Sequence, residues 1–155
     1  MTGVNELERK TQERIIHDIF EKKLGYVYLG NFEERENNSN IEEDLLLKFL
    51  KKKYSEDIAK KALAELKKVA HNDSKSLYET NKEVHNLLKY GKGISLHIGE
   101  KEEKVYFIDT DNYLNNDYYV AEEVTVRGQN EKRPDIVIYV NGIAVGIIEL
   151  KRSTV

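Results

Sequence analysis

Three charged residues bracket the most apolar stretch of the chain, RPDIVIYVNGIAVGIIELKR, residues 133–152. Asp135 precedes five apolar residues, and Glu149 and Lys151 follow the run from Ile143 to Ile148 on the far side of Asn141-Gly142. Two carboxylates and a lysine on adjacent strands suit metal-assisted phosphodiester hydrolysis. The carboxylates are hard oxygen ligands for Mg²⁺, which keeps several waters and binds phosphate. Such a metal lowers the pKa of a bound water and neutralises charge developing at phosphorus. Lys151 could orient or help deprotonate the attacking water, or stabilise the phosphoryl oxygens. The backbone carbonyl of Leu150 could add a further ligand. The competing reading is structural: Asp135 follows Pro134 as a strand-start residue, while Glu149 and Lys151 mark solvent exposure.

Geometry separates the two. Asn141-Gly142 is a strong two-residue hairpin signal, because both residues tolerate positive φ. Side chains alternate along a strand, so Glu149 and Lys151 share a face. A strict two-residue turn pairs Val140 with Ile143 and Asp135 with Ile148, which sends Asp135 and Glu149 to opposite faces. A three-residue loop ending in Gly142 pairs Asp135 with Ile147 instead, diagonal to Glu149 on one face. The metal-site reading therefore requires a bulge, bend or longer loop between Asp135 and Glu149. Gly146, a weak strand residue, is another place for it.

The elements that must position this hairpin are legible upstream. Leu7, Ile15, Ile16, Ile19, Phe20 and Leu24 recur at helical spacing before Gly25, which suits a helix C-terminus. YVYLG reads as a short strand. Ile41, Leu45, Leu46, Phe49 and Leu50 mark a second helix. Ser55 caps a third, with Glu56 and Asp57 in its first turn and Ile58, Ala62, Leu63, Leu66 and Val69 as its stripe. A fourth helix is expected from about Lys75 to Tyr90. GISLHIG, KVYFID and YYVAEEVTV then read as strands. Helices first and strands later predict an α/β fold in which helices cover a mixed sheet, with a helix-rich N-terminal half.

The chain has 155 residues, which fits one domain, 1–155, around a single core. It contains no cysteine, which excludes disulfides, thiolate metal sites and cysteine nucleophiles and suits a cytoplasmic protein. No run approaches the length of a membrane span, and the N-terminus shows no secretory signal. Net charge is −3, but residues 48–68 hold eight lysines against three acidic residues. Lys51, Lys52, Lys53, Lys60, Lys61, Lys67 and Lys68 are the candidates for a phosphate-facing surface, against the plainer reading of a solvated helix face. The four histidines lack ligand spacing, and there is no nucleophile elbow or dinucleotide fingerprint. Tyr106, Tyr119 and Tyr139 fall on expected strands and are expected to pack.

The string EEVTVRGQNEKRPDIVIYVNGIAVGIIELKRS resembles the nuclease region of the R (HsdR) subunit of type I restriction enzymes. The resemblance extends through LGYVYLGNFEERENNSNIEEDLL, SLYETNKEV and LLKYG, and so covers essentially the whole chain. It implies the restriction-endonuclease-like PD-(D/E)xK fold, with Asp135 and Glu149 as metal-binding carboxylates and Lys151 as the catalytic lysine. An acidic residue of the first helix often completes such sites, and Glu8 and Glu13 are the candidates. Asn5 with Glu8 also forms a capping-box pattern. The resemblance further implies double-stranded DNA as substrate, Mg²⁺ as cofactor, and methyltransferase (M) and specificity (S) subunits as partners, with no membrane. ATP belongs to a translocase motor, and no GxxxxGK[ST] loop occurs here. The sequence is accordingly expected to be an N-terminal piece of a longer subunit, lacking the motor and the last part of the nuclease fold. Two alternatives remain: a non-catalytic module that binds DNA or docks subunits, and a stand-alone PD-(D/E)xK repair nuclease.

Overall fold

A computed structural model describes residues 2–127 and 130–151, with side chains from Glu6 onward. Residues 128–129 and 152–153 of the string quoted above, and the side chain of Asn5, lie outside the described residues. Two compact units result, one formed by residues 1–40 with 117–155 and the other by residues 41–116. The architecture is α/β, with a mixed four-stranded sheet and four α-helices, compatible with a restriction-endonuclease-like fold.

In the first unit, α1 (Thr2–Glu13) runs directly into a π-helical stretch, Arg14–Lys23. The sheet follows in the order β1 (Val27–Asn31), β4 (Tyr118–Glu122), β5 (Ile136–Val140) and β6 (Ile143–Ile148). β1 runs parallel to β4, and the other pairs are antiparallel. Ile16 and Phe20 pack on Val120 and Ile136, with Ile15, Tyr26, Tyr28, Ile138 and Ile148 around them. These residues fix one face of the sheet as the helix-covered face. Wider π turns advance the apolar stripe more slowly than ordinary α turns do. Within the stretch Ile16 and Phe20 are buried and Ile19 is exposed; Leu7 on α1 and Leu24 at the C-cap, expected on the same stripe, are exposed as well. The first helix also begins at Thr2, so Asn5 lies inside it and is not the N-cap of a capping box with Glu8.

The second unit holds α2 (Glu43–Leu50), α3 (Glu56–Ala70), α4 (Leu77–Tyr90) and a small antiparallel ribbon, β2 (Lys92–Ile94) with β3 (Glu103–Val105). Ser55 caps α3 by accepting the Ile58 N–H. Ser76 and Glu79 form a reciprocal capping box that starts α4 two residues later than the pattern suggested. Leu46, Leu50, Ala59, Ala62, Leu66, Val105 and Phe107 are buried. α4 stops at Gly91, whose φ is +70°, and a Cβ there would approach the Val105 carbonyl to 2.5 Å. Only glycine meets both demands. The ribbon strands are shorter than their apolar patterns suggested. Tyr106, one residue beyond β3, rests its ring against Gly91 but is 43 % exposed, unlike the buried Tyr119 and Tyr139. Among the described residues no helix is long and apolar enough to cross a membrane.

The hairpin turn is tied down by Asn141, which is wholly buried at φ +52°. Its Oδ1 accepts the Asp117 N–H at 2.7 Å, and its own N–H donates to the Asp117 carbonyl at 2.7 Å. Asn141→Ala orphans one buried donor and places alanine in left-handed backbone, so it should lower unfolding free energy by about 2 kcal/mol. Asn141→Gly restores only the backbone freedom and should fall between alanine and the parent in urea denaturation.

Candidate functional site

β5 and β6 are rich in β-branched residues, and Asn141 and Gly142 both take positive φ, +52° and +86°. That is the backbone of a tight two-residue turn. Val140 pairs with Ile143 and Tyr139 with Ala144, as simple alternation requires. The next pair is Ile138 with Gly146, so Val145 is an extra residue on β6. The irregularity that the metal-site reading required is present, but in the strand beside Gly146 and not in the turn. The Ala144 N–H donates to the Asn40 carbonyl at 2.8 Å at this point.

Beyond the bulge the ladder continues with Val137 to Ile147 and Ile136 to Ile148. The paired strands end there; one further step of the same register would set Asp135 across from Glu149. Ile136 and Ile148 point to the helix-covered face, so alternation turns both carboxylates toward the reverse face. Asp135 is half-buried, and Glu149 and Lys151 are exposed. The Leu150 N–H donates to Asp135 Oδ2 at 2.5 Å, which holds the Leu150 backbone beside that carboxylate. The Asp135 carbonyl accepts the Glu123 N–H at 2.9 Å, and the Pro134 carbonyl accepts the Val124 N–H at 3.2 Å. Asp135 is thus anchored from the strands on both sides.

On the first helix, Glu13 is exposed and pairs with Arg9 at 3.8 Å. Glu8 is half-buried one turn before Gln12. It is Gln12 that reaches the sheet. Its Nε2 donates to Glu122 Oε2 at 2.9 Å and to Glu123 Oε1 at 3.1 Å. The Tyr28 hydroxyl donates to Glu122 Oε1 at 2.5 Å, and Arg133 Nε stands 3.0 Å from Glu123 Oε2. Arg133 also pairs with Glu33. Burial, and then the bond to the Glu122 carboxylate, push the Tyr28 hydroxyl far above its ordinary pKa. This network was not singled out from sequence, although the carboxylate pair Glu122-Glu123 inside an apolar strand was its signal. Among the described residues no group of three or more histidine, aspartate or glutamate side chains forms a metal cluster.

The candidate lysines separate into two sets within the second unit. Lys51, Lys52 and Lys53 follow α2, and Lys60, Lys61, Lys67 and Lys68 lie along α3. Several already have partners. Glu56 stands 2.7 Å from Lys60 and 3.8 Å from Lys51, Glu43 stands 2.6 Å from Lys67, and Lys61 donates to the Ser95 carbonyl at 2.6 Å. The hydrogen bond from Lys60 is the main reason the Glu56 carboxyl lies below its ordinary range. Lys52 Nζ lies 5.5 Å from the centre of the Phe49 ring.

The family model described as type I restriction enzyme R protein N terminus (HSDR_N) matches residues 5–155. No curated protein and no solved structure matches the chain.

The bulge makes its own prediction. Deleting Val145 removes the bulge but leaves the later partners in place, Gly146 opposite Ile138 and Ile148 opposite Ile136, so the Leu150 amide should keep its protection. Asp135→Ala should instead speed exchange of that amide at least about tenfold, corresponding to loss of one charge-assisted hydrogen bond, while amides near the turn keep their protection. Amide hydrogen exchange followed by NMR reads both.

Proposed function

Because this chain belongs to the family of type I restriction enzyme R protein N termini, we propose that its hairpin end is the Mg²⁺-dependent site that cuts double-stranded DNA. The observation that supports the reading is the extra residue Val145, which sets Ile136 opposite Ile148, so that extending the same register by one step would bring Asp135 and Glu149 to one face. The donor set fits the ion. Mg²⁺ is commonly held by one or two carboxylates and keeps waters in its other positions, so a third carboxylate is not obligatory. Asp135 and Glu149 would hold it, with the Leu150 carbonyl as a further oxygen. A bound Mg²⁺ supplies a water of lowered pKa and positive charge against the phosphoryl oxygens.

The protein's own groups do the rest. The Leu150 N–H fixes the rotamer of Asp135, so the carboxylate is oriented before substrate arrives. Lys151 donates hydrogen bonds to the scissile phosphate or positions the attacking water. Arg133, locked between Glu33 and Glu123, steadies the chain two residues before Asp135. Gln12 takes the inward helix position toward the sheet carboxylates, with Glu8 one turn earlier and Glu13 outside as the remaining candidates for a contribution from the first helix. The lysines at 51–53, 60, 61, 67 and 68 contribute phosphate contacts that carry no sequence information. Sequence reading and methylation then fall to the specificity and methyltransferase subunits, and ATP-driven translocation to the motor of the full R subunit.

The test uses the full R subunit assembled with its partners. Asp135→Ala, Glu149→Ala and Lys151→Ala should each reduce double-strand cleavage by at least about a hundredfold. ATP hydrolysis and translocation should persist in all three. Unimpaired cleavage in Asp135→Ala would sink the assignment and favour a non-catalytic module.

A further inference from the structure

Within residues 41–116 a cleft of about 560 Å³ opens between the end of α2 and the segment around 106–115. One wall carries Phe49, Lys52 and Lys53, and the other carries Tyr106, Asp109, Asp111 and Asn115. The size suits a small-molecule ligand. Its chemistry is narrower than its size. Two rings, Phe49 and Tyr106, offer flat apolar faces, and two adjacent lysines offer positive charge.

The walls are held in place. The Tyr106 N–H donates to the Tyr54 hydroxyl at 3.0 Å, and the Tyr106 ring lies over Gly91. Asp109 is fixed by donors from its own loop. Its Oδ1 accepts the Asp111 N–H at 3.1 Å and the Asn112 N–H at 2.8 Å, and its Oδ2 accepts Asn115 Nδ2 at 2.9 Å. Asn116 braces the same loop by accepting the Asp109 N–H at 2.8 Å and donating to its carbonyl at 2.9 Å. The Asp109 carboxylate is therefore held ionised by neutral donors of its own loop, first Asn115, and also by the charge of Lys53, and its position at the rim is that of an acceptor.

A ligand that satisfies this cleft has a planar ring, an anionic group and a donor edge. An acidic peptide would leave the aromatic faces unmatched, and a lipid tail would leave the lysines and Asp109 unmatched. Bases stack on aromatic side chains, and lysines take the backbone charge. We propose that the cleft binds one nucleotide, its base against Phe49 and Tyr106 and its phosphate at Lys52 and Lys53. The nucleotide belongs either to a DNA single strand or to a free nucleoside phosphate. The inference rests on reading these two lysines as phosphate-facing and is independent of the chemistry at Asp135.

Binding of deoxyadenosine 5′-monophosphate, a labelled twelve-nucleotide oligo(dA) strand and the corresponding duplex to the full chain tests it. The monophosphate or the strand should bind. Lys52→Gln with Lys53→Gln should weaken that binding at least about tenfold, as should Tyr106→Leu through loss of stacking. Lys82→Gln, on the exposed face of α4, should leave it unchanged. Both lysines are exposed, so their variants test the cleft even if Tyr106→Leu fails to fold. Binding of the monophosphate identifies a free nucleotide as sufficient, and binding of the strand alone identifies DNA as the source. If neither binds, or if the double lysine variant binds both as well as the parent, the inference is overturned. If only the duplex binds, and Lys60→Gln with Lys68→Gln weakens it, the inference fails while the phosphate-facing reading of α3 stands.

Discussion

Pairing of Val140 with Ile143 across the Asn141-Gly142 turn commits the hairpin to one register, and Val145 changes that register by one residue before Ile138 meets Gly146. Side-chain direction in a strand has a period of two, so one inserted residue reverses the face of everything beyond it. Ile148 thereby reaches the helix-covered face, beside Ile136 and beneath Ile16 and Phe20. Glu149 is turned the other way, to the side of Asp135. Core packing and carboxylate geometry are consequences of a single offset. Were Val145 paired regularly with Ile138 instead of bulged, Ile148 would fall opposite Asp135 and leave the core face, and Glu149 would turn away from Asp135.

The sheet end next to this corner is polar on its helix side. Glu122 lies in the same cross-strand row as Ile136 and Ile148, yet its carboxylate is met by Gln12 and Tyr28. Glu123 takes φ +51° and ends the regular pairing of β4. It faces Gln12 and Arg133. Partly buried carboxylates are tolerated because each is met by donors, which in turn restricts the rotamers of the groups involved. The result ties α1, β1, β4 and the segment before β5 to one another at the point where Asp135 emerges.

The lysine-rich segment illustrates why local charge is a weak guide. Eight lysines in twenty-one residues suggest a broad positive surface. In the folded unit, Glu43 and Glu56 each face lysines of this segment, and Lys61 is engaged by a backbone carbonyl. These exposed pairs contribute little stability, but they redistribute the positive field. Lys52 and Lys53 instead border a cleft with aromatic walls, a placement that depends on how the 106–115 segment returns to the end of α2.

Much was determined by the sequence alone. The α/β class, the capped start of α3 and the tight turn at Asn141-Gly142 follow from local propensity, hydrogen-bonding side chains and tolerance of positive φ. Those are properties of a few neighbouring residues. Alternation along the hairpin likewise defined what the carboxylates required, namely one irregularity. Its position at Val145 depended on tertiary structure, because Ile148 is drawn into the core and the Ala144 N–H finds the Asn40 carbonyl. The π-helical stretch that leaves Ile19 exposed, and the choice of Gln12 as the residue facing Glu122 and Glu123, were also decided only in the fold. Each depends on partners more than ninety residues away, which no local pattern encodes.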